Sequence, residues 1–102
     1  MDEHKLNDAA PAGKKVIISV LGHDRVGIIA SVSTVLAETG VNILDISQTI
    51  LQDIFTMVMV CDIKNSIVDF DILKDKLEAI GLGLGVQVQV QHEDVFQFMH
   101  RI

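Results

Sequence analysis

Residues 15–40, KVIISVLGHDRVGIIASVSTVLAETG, carry the change from extended to helical patterning that decides the fold. Lys15 to Leu21 is a β-branched run with apolar residues on both faces, which predicts a central strand covered by helices on one side. From Gly27 to Thr39 the period changes: Ile28, Ile29, Val32, Val35 and Leu36 recur at helical spacing, and Ser31, Thr34 and Glu38 fall on the other side. Gly40 supplies a left-handed helix stop. Between strand and helix lies a polar turn bounded by glycines, Gly22-His23-Asp24-Arg25-Val26-Gly27, so that the strand ends at Gly22 and the helix opens with free backbone N–H groups.

The remaining chain repeats this arrangement. Val41 to Leu51 reads as a half-exposed edge strand in which Leu44, Ile46 and Ile50 alternate with Asp45, Ser47 and Thr49. Gln52-Asp53 makes a tight hairpin into Ile54 to Ile63, apolar on both faces and therefore central. Asn65, Ser66 and Asp69 turn the chain and cap a second helix with Phe70, Leu73, Leu77 and Ile80 on one stripe, and Gly81, Gly83 and Gly85 end it. Val86 to Gln91 alternates strictly, valine with glutamine, as an edge strand should. Residues 1–13, with Pro11 and Gly13 and no periodicity, read as a disordered arm or an appended remnant; residues 14–92 form the domain. In the tail, 93–102, Val95, Phe96 and Met99 stand at helical spacing and predict a short C-terminal helix.

The order β-α-β-β-α-β, with long crossovers after the first and third strands, specifies an α+β ferredoxin-like sandwich. An antiparallel sheet in order 4-1-3-2, with both helices on one face, places the two doubly apolar strands in the middle and the two alternating strands at the edges.

Composition narrows the function. Fourteen acidic against eight basic residues leave a formal charge of −6, which repels phosphate backbones and anionic membrane surfaces and argues against nucleic acid and membrane as partners. The start, MDEHKLND, lacks the basic and apolar runs of a signal peptide, so the expected location is cytoplasmic. An apolar content of 49% with a mean hydropathy of +0.42 is high for 102 residues, and a homodimer that covers part of that surface is expected. Cys61 is the single cysteine and, inside an apolar run, a buried small hydrophobe; His92 and His100 lack metal-ligand spacing, so no metal or cofactor is expected.

The turn is the one place where binding chemistry is suggested. The Asp24 carboxylate is placed to cap the first helical turn, and Gly27 removes bulk beside N–H groups that carry partial positive charge, a setting for a carboxylate or another small anion. The structural reading stands beside it, with Asp24 only a cap, Gly27 only a packing residue, and His23 and Arg25 solvated loop side chains.

The strand VIISVLG, the loop HDRVG, the helix GIIASVSTVLAETG and the following VNILDISQT together resemble the ACT domain, a small-molecule-sensing module, in its stand-alone form. The resemblance covers residues 15–91. It implies a homodimer in which an amino acid or similar metabolite sits between the first loop of one subunit and the second strand of its neighbour. Carried onto this chain, His23, Asp24, Arg25, Val26, Gly27 and Ile28 form one side and Asn42, Ile43 and Leu44 the other. The N–H groups of Val26, Gly27 and Ile28 would receive the ligand carboxylate, and the Asn42 amide or Asp24 carboxylate its ammonium; Asn42 also reads as a residue that satisfies turn backbone. The resulting expectation is a regulatory module and not an enzyme, possessing no evident nucleophile–base pair. The alternative is a ligand-free assembly domain that pairs with another protein through its edge strands.

Overall fold

A computed structural model describes residues 14–94. The central strand β1, Lys15–His23, pairs antiparallel with β3, Ile54–Asp62, on one side and with β4, Val86–His92, on the other. The strand β2, Asn42–Leu51, pairs with the outer side of β3. The sheet order β2-β3-β1-β4 is the 4-1-3-2 order that the patterning specifies. Helices α1, Ile28–Thr39, and α2, Phe70–Leu84, supply the crossovers. The tail helix expected over 93–102 and the arm over 1–13 lie outside the described residues, apart from a helical start at Glu93 and Asp94.

The core lies between the sheet and the helices. Val16, Ile18 and Val20 of β1, Met57, Met59 and Cys61 of β3, and Val88 and Val90 of β4 meet Val32 and Leu36 of α1 and Leu73 and Leu77 of α2. Burial pushes the Cys61 thiol from its ordinary value up to about 12, because a thiolate there would be stripped of water.

Four local expectations are corrected. β1 does not end at Gly22: Gly22 and His23 continue the ladder opposite Phe55 and Ile54. Asp24 does not cap α1: Gly27 occupies the cap position without a side-chain bond, while the Asp24 N–H donates to the Asp53 carbonyl at 2.8 Å. Asp69 does occupy the cap position of α2, but its carboxylate makes no capping bond. Gly81 and Gly83 do not end α2, which runs on to a left-handed Gly85 at φ 75°. Gly81 is there for packing, since a Cβ would stand 2.7 Å from Cγ2 of Val88.

The strand β2 keeps its alternation only beyond a bulge. The register slips between Ile43 and Asp45, leaving Leu44 as the extra residue. Ile46 and Ile50 then stand opposite Met59 and Phe55, whereas Asp45, Ser47 and Thr49 stand opposite Val60, Val58 and Thr56. Neither side is covered, and all ten residues of β2 are exposed.

Candidate functional site

The turn between β1 and α1 is held by three independent contacts. His23 Nδ1 lies 3.3 Å from Asp53 Oδ2, both side chains in solvent, and the Asp24 N–H bond to the Asp53 carbonyl fastens the same hairpin. Arg25 reaches the other way, and its Nη1 donates to the carbonyl oxygen of Leu84 at 2.7 Å. Gly27 closes the turn at φ 95°, ψ −2°, a left-handed conformation that a residue with a Cβ adopts only under strain.

Because the first helical bond of α1 runs from the Ser31 N–H to the Gly27 carbonyl, at 2.9 Å, the N–H groups of Ile28, Ile29 and Ala30 precede the ladder. No atom lies within 4 Å of the position a Gly27 Cβ would take. Beside this helix start is a cavity of about 200 Å³ with Asp24, Arg25 and Ile29 on one wall and Gln48, Ile50 and Phe55 on the other. It matches the liquid-volume share of roughly seven water molecules. The turn contributes charged and glycine residues to its lining, Asp24, Arg25 and Gly27, and the sheet contributes Gln48 with the apolar Ile50 and Phe55.

The expected site residues fall into two groups. Asp24, Arg25, Gly27 and Ile28 line the cavity, whereas His23 faces Asp53 and Val26 is 97% exposed. Ile28 contributes from a side chain that is itself buried in the core. Asn42, Ile43 and Leu44 are elsewhere. Asn42 pairs with Asp62 at the far end of β3, whereas Leu51 pairs with Ile54, the residue opposite His23. Nine residue steps of extended chain separate Asn42 from Leu51, about 30 Å at the rise of a β-strand. Within one protomer the two groups do not meet.

Gln48, Ile50 and Phe55 line the cavity without having been read as site residues. Gln48 carried a signal, since it occupies a helix-side position of β2 between Ile46 and Ile50, where the pattern calls for an aliphatic residue. Ile29, expected on the apolar stripe of α1, is 41% exposed because that part of the helix faces the cavity.

The model of the ACT domain matches residues 14–94, all the described chain. The chain belongs to the ACT domain family. This ACT domain is 59% identical over 88 residues to the UPF0237 protein of Methanocaldococcus jannaschii, covering 86% of this chain and 98% of that one. Among solved structures it is similar to the ACT domain protein from Streptococcus pneumoniae, with a TM-score of 0.70 and 43% identity over 81% of this chain and 93% of that one. The regulatory subunit of aspartate kinase from Thermus thermophilus shares the fold, at a TM-score of 0.62 and 20% identity, over 79% of this ACT domain and 52% of that chain. ACT domains are in general regulatory ligand-binding modules. No helix among the described residues is long and apolar enough to cross a membrane.

Proposed function

We propose that this ACT domain is a cytoplasmic sensor, without catalytic activity of its own, which binds a free amino acid or a similar small metabolite as a homodimer and passes its occupancy to another protein. The observation that carries the reading is the 200 Å³ cavity at the start of α1, lined by Asp24, Arg25 and an open Gly27 from the turn and by Gln48, Ile50 and Phe55 from the sheet, beside N–H groups that precede the helical ladder. A carboxylate suits those N–H groups and a short side chain suits Ile50 and Phe55.

The exposed strand β2 supports the homodimer. An edge strand that exposes Ile43, Leu44, Ile46, Ile50 and Leu51, with Asp45 as its one charge, is poorly protected against pairing. Antiparallel pairing of two β2 strands about a twofold axis would bring Asn42 of one copy toward the turn of the other, closing the 30 Å gap that exists within one protomer. The Asn42 amide or the Asp24 carboxylate then receives the ligand ammonium, and Gln48 offers a further amide.

The test is a thermal-melting screen of the purified chain against the twenty amino acids, since binding to the native state alone raises the melting temperature. A selective rise that disappears in Gly27→Asp and in Asn42→Ala is expected. A flat response across the panel would favour a second reading drawn from the same exposed strand, a ligand-free assembly domain that pairs through β2.

A further inference from the structure

On the face of the sheet turned away from the helices, exposure falls from one end to the other along three strands at once. On β1, Leu21 is 48% exposed, Ser19 is half-buried and Ile17 is only 5% exposed. On β3, Ile54 and Thr56 are exposed, whereas Val58 and Val60 are half-buried. On β4, Gln87 and Gln89 are exposed and Gln91 is half-buried. Ile17, Val60 and Gln91 form one row across the sheet, since Ile17 pairs with the other two on either side. Asp45 of β2, which continues that row beyond Val60, is exposed.

Flanking side chains do not account for the gradient. Leu21 has flanks of similar kind, Thr56 and Gln87, and stays open. Ile17 is therefore covered from above the sheet. Helices α1 and α2 do not supply the cover, because they pack on the opposite face against Val16, Ile18 and Val20. These exposures are those of one chain alone, so the cover is part of it.

We infer that residues 95–102 lie across this row as a third layer. Place is the first reason: β4 ends at His92, next to Gln91, and the chain turns helical at Glu93 and Asp94, at the covered end of the face. The second is length. A helix over residues 93–102 spans about 15 Å, or about three strand spacings, so it crosses β4, β1 and β3 and stops short of β2, where exposure returns. The third is chemistry. On that helix Val95, Phe98, Met99 and Ile102 stand at i, i+3, i+4 and i+7, one apolar stripe, while Gln97, His100 and Arg101 fall outside it. The arm 1–13 also borders the row, but it carries Asp2, Glu3, Asp8 and Pro11 and has no such stripe. The domain is then three layers deep around Ile17 and two around Leu21.

Fluorescence of the full-length chain tests the inference, because the sequence contains neither Trp nor Tyr and Phe98→Trp supplies a single indole. In the folded variant the emission should be blue-shifted from that of the denatured chain and shielded from iodide. Ile17→Lys should shift it to the red and open it to the quencher while the circular dichroism stays native. Leu21→Lys, at the open end of the face, should leave it unchanged. Met99→Trp replaces Phe98→Trp, and Val60→Lys replaces Ile17→Lys, where either fails to fold. Refolding Phe98→Trp with an excess of the Ile17→Lys chain should keep the emission blue-shifted, because each tail returns to its own sheet. An indole open to iodide in the native protein overturns the inference, as does a shielded one indifferent to Ile17→Lys, which docks elsewhere. A red shift in the mixture overturns it too, in favour of a tail exchanged with a second copy.

Discussion

The guanidinium of Arg25 donates to the carbonyl oxygen of Leu84 across 2.7 Å, and so joins the turn before α1 to the last residue of α2. The contact closes a separation of 59 residues and sits where the C-terminal carbonyls of α2 carry partial negative charge. Arg25 therefore has two neighbours to serve, the cavity on one side and the helix end on the other.

Arg25→Ala should cost about 1 kcal/mol, a charge-assisted bond discounted for its exposure, and lower the melting temperature by about 5 °C. Hydrogen exchange should quicken at residues 24–28 more than in the core strands. Arg25→Lys should fall between the two, because it keeps the charge and loses the planar fork. Chemical denaturation with peptide-resolved exchange checks both.

Two glycines inside α2 should respond in opposite directions. Gly83→Ala adds a Cβ with no atom within 4 Å and removes backbone freedom from the unfolded chain, so a gain of about 0.5–1 kcal/mol is expected. Gly81→Ala gains the same propensity but drives its Cβ to 2.7 Å from Val88 Cγ2 and 2.9 Å from the Val86 carbonyl oxygen. The overpacking should win, for a net loss of about 1–2 kcal/mol. Denaturation midpoints of the two variants, measured side by side, decide the matter.

Cys61 should be silent in the native protein and reactive once unfolded. Its thiol titrates at about 12 when folded and near 9 when exposed, so the unfolded chain loses its proton first as the pH rises. The thiol's contribution to stability is thus complete below pH 9 and is lost as the pH rises from 9 through 12. Cys61→Ala should flatten this alkaline decline while costing about 1 kcal/mol at neutral pH through the lost packing of the sulfur. Thiol-reagent kinetics at pH 8, with and without guanidinium, and stability against pH check the account.

The fold was legible because the alternations in the sequence agree with the topology. The two doubly apolar runs became β1 and β3 in the middle of the sheet, and the Val/Gln alternation became the edge strand β4. The errors arose where a residue served a tertiary need that its local pattern does not express. Gly81 looks like a helix stop but is a contact surface for Val88, and Asp24 looks like a cap although its backbone is engaged by Asp53. The turn was recognisable as a candidate site by its glycines and charges. Its cavity was less so, because Gln48, Ile50 and Phe55 come to it from the β2–β3 hairpin, some twenty residues or more further along the chain, and no local pattern ties them to the turn. Arg25 and Leu84 are too distant in the chain for any spacing to reveal their bond.

The central claim is that a ligand is held between the turn of one copy and Asn42 of another, and a mixed dimer tests it most directly. Gly27→Asp and Asn42→Ala should each abolish binding of the amino acid selected by the melting screen. When the two variants are mixed and allowed to exchange subunits, the hybrid regains one site with an intact turn and an intact Asn42. Titration calorimetry should then recover about a quarter of the wild-type sites, from half of the dimers with one good site each. No recovery in a mixture shown to contain hybrids, or undiminished binding by Asn42→Ala alone, would contradict the claim and confine the site to a single protomer.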